Sequence, residues 1–479
     1  MSNQSKLSTY ALLVVVSQWP LQSEEVLDTP QKKSETLNVE ASVSSNEAHE
    51  KLPSEVKKAQ IAPSEEKFSL RKSTNGFVSA TYRARTNEHT DDHDMYSNLG
   101  LNVNEGGKAS FHFLGRLAAD LDGNRDSSGY YVYDSLADST GHSLDEKIFS
   151  AHADISKLGA VDNVSVGRQM VEGTPVVAFF DGLSADSTSY GDLKLKAGVY
   201  GGVPVRFYDS SSEDLLVGGH AQMEPTKTTK ARLDWMRSTE DRPKDSRKDD
   251  IYSLNLEQQL QKSTRLLGAY SMLENEARDV AMRCYYRNME KDLSMSFYVY
   301  HLIQTQRNFA IELDPFYSST QELYPYYKAS ALLSKGLGET LVLDTGYDLR
   351  RVKDNSQVGA YNREYDRIFV TPMLLDKPWE GGSCSVTLDW WKSGDRQIFA
   401  YGGDLSHKCT SKLDMSIGSL FSMYKYDLYS DREKEDVQTY YLKAKYKMSQ
   451  TLRFNSSYEY ETDSLEAYHV IKLGITCLF

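Results

Sequence analysis

From Gly76 to Phe479 apolar and polar residues take turns with a period of two. Between Ser110 and Asp122, Phe111, Phe113, Leu117, Ala119 and Leu121 alternate with His112, Arg116, Asp120 and Asp122. Between Asp192 and Gly201, Leu193, Leu195, Ala197 and Val199 alternate with Asp192, Lys194, Lys196 and Tyr200. Ala231, Leu233 and Trp235 alternate with Lys230, Arg232 and Asp234. Tyr440, Leu442, Ala444, Tyr446 and Met448 alternate with Tyr441, Lys443, Lys445 and Lys447. Leu452, Phe454, Tyr458 and Tyr460 alternate with Arg453, Asn455, Ser457, Glu459 and Glu461. Successive side chains of a strand point to opposite faces, so each run predicts a strand with one oily and one polar face. The rhythm predicts roughly 16 to 22 strands of about 9 to 16 residues.

Turn-forming clusters separate the runs, at Asn104–Lys108, Ser334–Glu339 and Lys392–Arg396. Longer charged stretches, such as Ser238–Asp250, read as loops joining strands at the opposite end. Short turns at one end and long loops at the other are expected of a membrane barrel. Residues 310–325 lack clean alternation and read as a loop folded inward.

An oily face covers either a packed interior or a lipid surface. Mean hydropathy is −0.55 and no window of about 18 apolar residues exists, which excludes a membrane-spanning helix. A barrel spans with only half of each strand apolar. The 32 tyrosines, with a greasy ring and a wet hydroxyl, suit membrane–water interfaces. The expected fold is all-β: a large transmembrane antiparallel β-barrel over residues 73–479, behind a disordered N-terminal segment. Net charge is −13, and no Lys/Arg cluster matches a phosphate backbone, so a nucleic-acid partner is not expected.

The strand Tyr468–Phe479 carries Ile471, Leu473, Ile475, Cys477 and Phe479 on one parity, against Tyr468, Lys472, Gly474 and Thr476 on the other. A polar residue, then Gly, then alternating apolar residues ending in an aromatic resembles the assembly signal of Gram-negative outer-membrane β-barrel proteins. Lys472, Gly474, Cys477 and Phe479 take those places. The resemblance implies an outer-membrane location, outer-membrane lipid as surroundings, and recognition by the barrel assembly machinery through strand addition. The segment Val166–Leu183 is similar to the Gly-Arg-Gln strand and Asp-Gly segment of some large porins. Arg168 there shares parity with Val164 and Val166, which puts it at a rim.

Residues 1–23 place Lys6 before an apolar run, Tyr10–Trp19, and read as a signal peptide with a cleavage site near Val15–Ser17. Residues 24–72 mix Ser, Glu, Lys and Pro and read as a disordered charged periplasmic linker. Cys284, Cys384, Cys409 and Cys477 form no haem or zinc pattern. Cys384 and Cys409, one hairpin apart, admit either a disulfide or two thiols.

No nucleotide loop, zinc-protease motif or nucleophile elbow occurs, so no catalytic residue, cofactor or metal is nominated. The ten histidines are scattered along the chain, none beside a second ligand at metal spacing. Asp120, Asp122, Asn124 and Asp126 resemble half of a calcium loop, but Arg125 and Tyr131 stand where Gly and Glu belong, which leaves a polar loop tip. Function then rests on the polar face. Arg116, Lys194, Lys196, Lys230, Arg232, Lys443, Lys445, Lys447 and Arg453, with Asp234 and Glu459 of opposite sign, are the candidate pore-lining residues. Asp120, Asp344, Asp348, Asp389 and Glu461 extend the acidic set. The expectation is a porin-like channel for passive diffusion of small polar or ionic solutes. The alternatives are a sheath around a partner such as an electron-carrying cytochrome, or a plugged structural barrel. A homo-oligomer is an arrangement the pattern admits.

Overall fold

The alternation is realised as strands whose backbone groups pair with both neighbours. A computed structural model describes residues 74–88, 91–105, 107–122, 143–171, 178–205, 214–242, 245–305, 324–358, 363–377, 379–427 and 432–479. The strands are β1 (Thr74–Thr86), β2 (Asp91–Glu105), β3 (Ala109–Asp120), β4 (Leu144–Leu158), β5 (Val161–Val171), β6 (Ala178–Ser187), β7 (Lys196–Pro204) and β8 (Leu215–Thr226). They continue as β9 (Thr229–Arg242), β10 (Asp245–Gln261), β11 (Thr264–Leu273), β12 (Glu276–Asn288), β13 (Leu293–Leu302), β14 (Tyr326–Leu337) and β15 (Leu341–Val352). The last are β16 (Tyr365–Leu375), β17 (Gly382–Ser393), β18 (Arg396–Lys408), β19 (Leu413–Asp427), β20 (Arg432–Lys447), β21 (Leu452–Thr462) and β22 (Ala467–Leu478).

Each strand pairs antiparallel with its sequence neighbours, and β1 pairs with β22, so the 22-stranded sheet closes on itself. At the seam Gly76 and Phe479 exchange both backbone hydrogen bonds, 2.9 and 3.0 Å. The Phe479 ring packs where a Cβ on residue 76 would stand, 2.7 Å from its Cζ, so only glycine fits there. Closure removes the open edges that would otherwise invite pairing with other chains.

The two ends differ. One carries short turns, including 159–160, 227–228, 262–263 and 338–340, and also holds Thr74 and Leu478. The other carries the long connections 121–143, 303–325 and 353–364, together with the short turns 274–275 and 394–395, so the expected Lys392–Arg396 turn falls at this end. Ser238–Asp250, expected as a long loop, is instead mostly strand. β9 runs to Arg242 and β10 begins at Asp245. Backbone pairing needs no apolar side chain, so a ladder continues into charged sequence where a strand has left hydrocarbon. The expected signal peptide, the linker, most of the inward-folded loop at 310–325 and the tip of the calcium-like loop lie outside the described residues.

The outer face is oily, as the parity predicts. Ile471, Leu473, Ile475 and Phe479 on β22, and Val386 and Leu388 on β17, are exposed there. On β15 the outward row runs Leu341, Leu343, Thr345, Tyr347, Leu349, Arg351. Ten residues at about 3.3 Å each, tilted by about 40°, span about 25 Å, the height of a membrane barrel's apolar band. At the loop end that band finishes in rings: Tyr440 stacks on Tyr460 at 6.4 Å, Tyr460 meets His469 at 5.1 Å, and His301 stacks on Tyr327 at 4.0 Å. Three cross-strand ion pairs share this face and end: Arg168–Asp181, Arg237–Asp250 and Arg351–Asp366, at 2.7, 2.7 and 2.6 Å. They mark the level at which the wall meets polar surroundings, and they put Arg168 at the rim its parity demanded.

The inner face is less uniformly polar than alternation predicts. Ala178, Phe180, Leu216, Met236, Ile251 and Leu273 form a buried apolar cluster inside β6–β11 near the loop end, with Tyr200 packed against it. There both faces of a strand are apolar, which period-two reasoning cannot assign. All four cysteines are free thiols.

Candidate functional site

The interior face carries almost every titratable side chain picked out by parity. Register places Lys447 beside Arg453, Lys445 beside Asn455, and Lys443 beside Ser457, which in turn adjoins Lys472. Tyr441 adjoins Glu459. Arg232 lies between Gln222 and Asn255, Lys230 beside Glu257, and Asp234 between His220 and Ser253. Arg116 pairs with Asn98 and Lys147. Lys196 opens β7 beside Gln222, with Nζ 3.6 Å from Asp162. Lys194 departs from expectation. Residues 191–194 turn rather than extend, Lys194 takes a positive φ of 47°, and its Nζ reaches Glu224 at 2.5 Å on the exposed turn. A 2.9 Å bridge between Tyr190 and Leu195 closes that turn, so the alternation of Leu193 and Leu195 belongs to a loop.

Two kinds of charge line the interior. Toward the loop end, guanidinium groups are held by several partners each. Arg83 is buried against Asp94 and donates to the Tyr96 hydroxyl at 2.5 Å, with that ring 5.0 Å away. Arg116 donates to Asn98 at 3.1 Å beside the rings of Phe149 and Tyr96. Arg367 lies between Phe369 and Trp391, 4.8 Å from each, and donates to Asp389 at 2.6 Å, with Asp348 at 3.6 Å. Nearer the turn end, Arg232 is held the same way, by Asp234 at 2.7 Å. Lys434 meets Glu461 and Tyr468 in the same buried manner. Toward the turn end, on β20–β21, Lys445, Lys447 and Arg453 are exposed and, among the described residues, in no ion pair. Lys443 lies over the Tyr441 ring at 4.4 Å and, among the described residues, is in no ion pair. The first set is wall; the second presents positive charge to whatever occupies the interior.

Of the four residues that resemble an assembly signal, Lys472 and Gly474 face inward, while Cys477 on β22 and Phe479 just after it face outward. One grouping escaped sequence reasoning. The β3–β4 register sets His112 opposite His152 and Ser110 opposite Asp154, so both imidazoles and one carboxylate gather on the inner face. Forty residues separate the two histidines along the chain, and no local spacing reveals the pair. Among the described residues this is the group whose donors could hold a metal ion.

No protein-family model matches the sequence, and neither does any curated protein. Solved structures do. The siderophore receptor PirA from Pseudomonas aeruginosa matches with a TM-score of 0.52 at 13% identity, over 84% of this chain and 80% of that one. A mutant of the ferric enterobactin receptor PfeA from Pseudomonas aeruginosa matches with a TM-score of 0.51 at 10% identity, over 84% and 80%. The outer membrane protein OpdK from the same organism matches with a TM-score of 0.42 at 9% identity, over 85% and 99%. The fold is that of the Gram-negative outer-membrane β-barrels, and the exposed apolar band matches the lipid of that membrane.

Proposed function

We propose that the protein is an outer-membrane channel through which small polar or ionic solutes diffuse down their gradients. One observation carries the reading: a closed barrel with a lipid-compatible outside holds on its inside an exposed stripe of Lys445, Lys447 and Arg453, in no ion pair among the described residues. A row of unpaired cations raises the local concentration of anions and orients polar solutes. The side chains nominated from parity, Arg116, Lys196, Lys230, Arg232, Asp234, Lys443 and Glu459 among them, are then its lining. Lys472, Gly474, Cys477 and Phe479 would present β22 to the assembly machinery by strand addition. The test is conductance of the refolded protein in a planar bilayer. Stepwise ohmic currents are expected; a membrane that stays sealed at every voltage refutes the channel.

A further inference from the structure

We propose that His112, His152 and Asp154 form a binding site for a divalent transition metal of the Zn2+ or Cu2+ class on the inner wall. His112 and His152 are direct cross-strand neighbours with ring centroids 5.0 Å apart, and Asp154 lies two residues beyond His152 on the same face. Both rings aim the same nitrogen at the same oxygen. His112 Nε2 is 3.1 Å, and His152 Nε2 3.6 Å, from Asp154 Oδ2. Two ligands about 2.1 Å from a tetrahedral ion stand about 3.4 Å apart, so these separations bracket a metal's requirement. All three donors lie within 4.8 Å of one another.

The outer contacts fix the orientation. His112 Nδ1 is 2.7 Å from Asn102 Oδ1, an atom that only accepts, so Nδ1 carries the proton. His152 Nδ1 lies 2.9 Å from Ser150 Oγ and 3.3 Å from the Arg168 carbonyl, which likewise only accepts. With Nδ1 donating outward, Nε2 is the nitrogen that each ring presents to the carboxylate, and its lone pair is the one a metal would take. Histidine ligands of metals are held in this way, with the second nitrogen donating outward. Asp154 is steadied in turn: Ser165 and Asn163 donate to Oδ1, leaving Oδ2 for the ion. Ser110 Oγ lies 3.1 Å from His112 Nε2 and 3.3 Å from Asp154 Oδ2, a small hydroxyl that one rotation removes. Opposite His152 stands Gly167, at φ +123°, where a Cβ would lie 2.2 Å from the Ala151 carbonyl. Its absence lets β4 and β5 approach closely beneath the ring.

The donor set selects the metal class. Two imidazoles and one carboxylate suit Zn2+, Cu2+ or Ni2+, whereas Ca2+ and Mg2+ demand six or more oxygens. His112 is 37% exposed, which leaves an open coordination position toward the interior for water or an anion.

Calorimetric titration of the full-length refolded protein in detergent micelles with ZnCl2 and CuSO4 tests the site. One saturable site per chain is expected. Asn102→Leu should weaken it about tenfold or more, and His112→Ala, His152→Ala and Asp154→Asn about a hundredfold, while His220→Ala leaves it unchanged. Electron paramagnetic resonance of the Cu2+ form of the unaltered protein should show coupling to two imidazole nitrogens. This arm needs no variant to fold. Absence of saturable binding, a spectrum with fewer than two nitrogens, or unchanged affinity in the His112→Ala/His152→Ala double variant overturns the proposal. None of these readouts involves conductance, so the site stands or falls apart from the channel.

Discussion

Two stretches of one inner wall make opposite use of charge. Inside β1–β3 and β15–β17, near the loop end, Arg83 and Arg367 are shielded from solvent, each gripped by a carboxylate and flanked by an aromatic ring. Inside β20–β21, near the turn end, Lys445, Lys447 and Arg453 stand in the open and, among the described residues, in no ion pair. The alternation that produced both is the same. What differs is whether burial closes the pair: Asp414 stands opposite Lys445 in register, but both are exposed and, among the described residues, form no ion pair. Pairing turns a charge into structure, and lack of pairing leaves it available to solutes.

This contrast can be broken at several points. The largest effect is expected from Asp94→Ala, which removes the carboxylate bound to the buried Arg83 and should cost about 3 to 5 kcal/mol. Urea unfolding in micelles, followed by tryptophan fluorescence, measures it; an unmoved midpoint would mean that the pair is not structural. Gly167→Ala should cost about 1 to 3 kcal/mol in the same assay, because the new Cβ meets the Ala151 carbonyl at a positive φ. Reversing Lys445, Lys447 and Arg453 together to Glu should leave the midpoint within about 0.5 kcal/mol, as for other solvent-facing substitutions. The same variant should shift reversal potentials in a salt gradient toward cations. A variant that unfolds, or that keeps its ion preference, erases the distinction between the two stretches. The smallest effect belongs to Lys194→Ala: neither ion preference nor midpoint should change, since that side chain sits on a turn at the mouth.

Much of this was legible in the alternation. Parity assigned Arg116, Lys230, Arg232, Asp234, Lys443 and Glu459 to the inner face, and it put Arg168 with the outer residues, where its ion pair with Asp181 lies. Parity is a property of one strand, however, and pairing is a property of two. The meeting of His112 with His152 depends on the β3–β4 register, which shifts at a bulge between Leu114 and Gly115. One residue of slip would turn every side chain of β4 to the other face. Lys194 misled because turn residues can mimic alternation for four positions. Ser238–Asp250 misled in the reverse direction, because charge was taken as a sign of loop where the ladder simply continues. The apolar cluster around Met236 stayed hidden for a third reason: with both faces apolar, period two vanishes.

The seam has a kinetic consequence. Every other junction in the wall is a hairpin between sequence neighbours, able to form within moments of its two arms existing. The bonds between Gly76 and Phe479 join positions roughly 400 residues apart, and they wait on all the others. Loop-closure entropy grows only with the logarithm of separation, so the delay is one of order rather than of energy. Until that last zip is drawn, the molecule is a curled ribbon with two sticky margins, and a second copy could find them first. Anything that keeps those two margins from other chains favours the closed barrel over aggregates of ribbons.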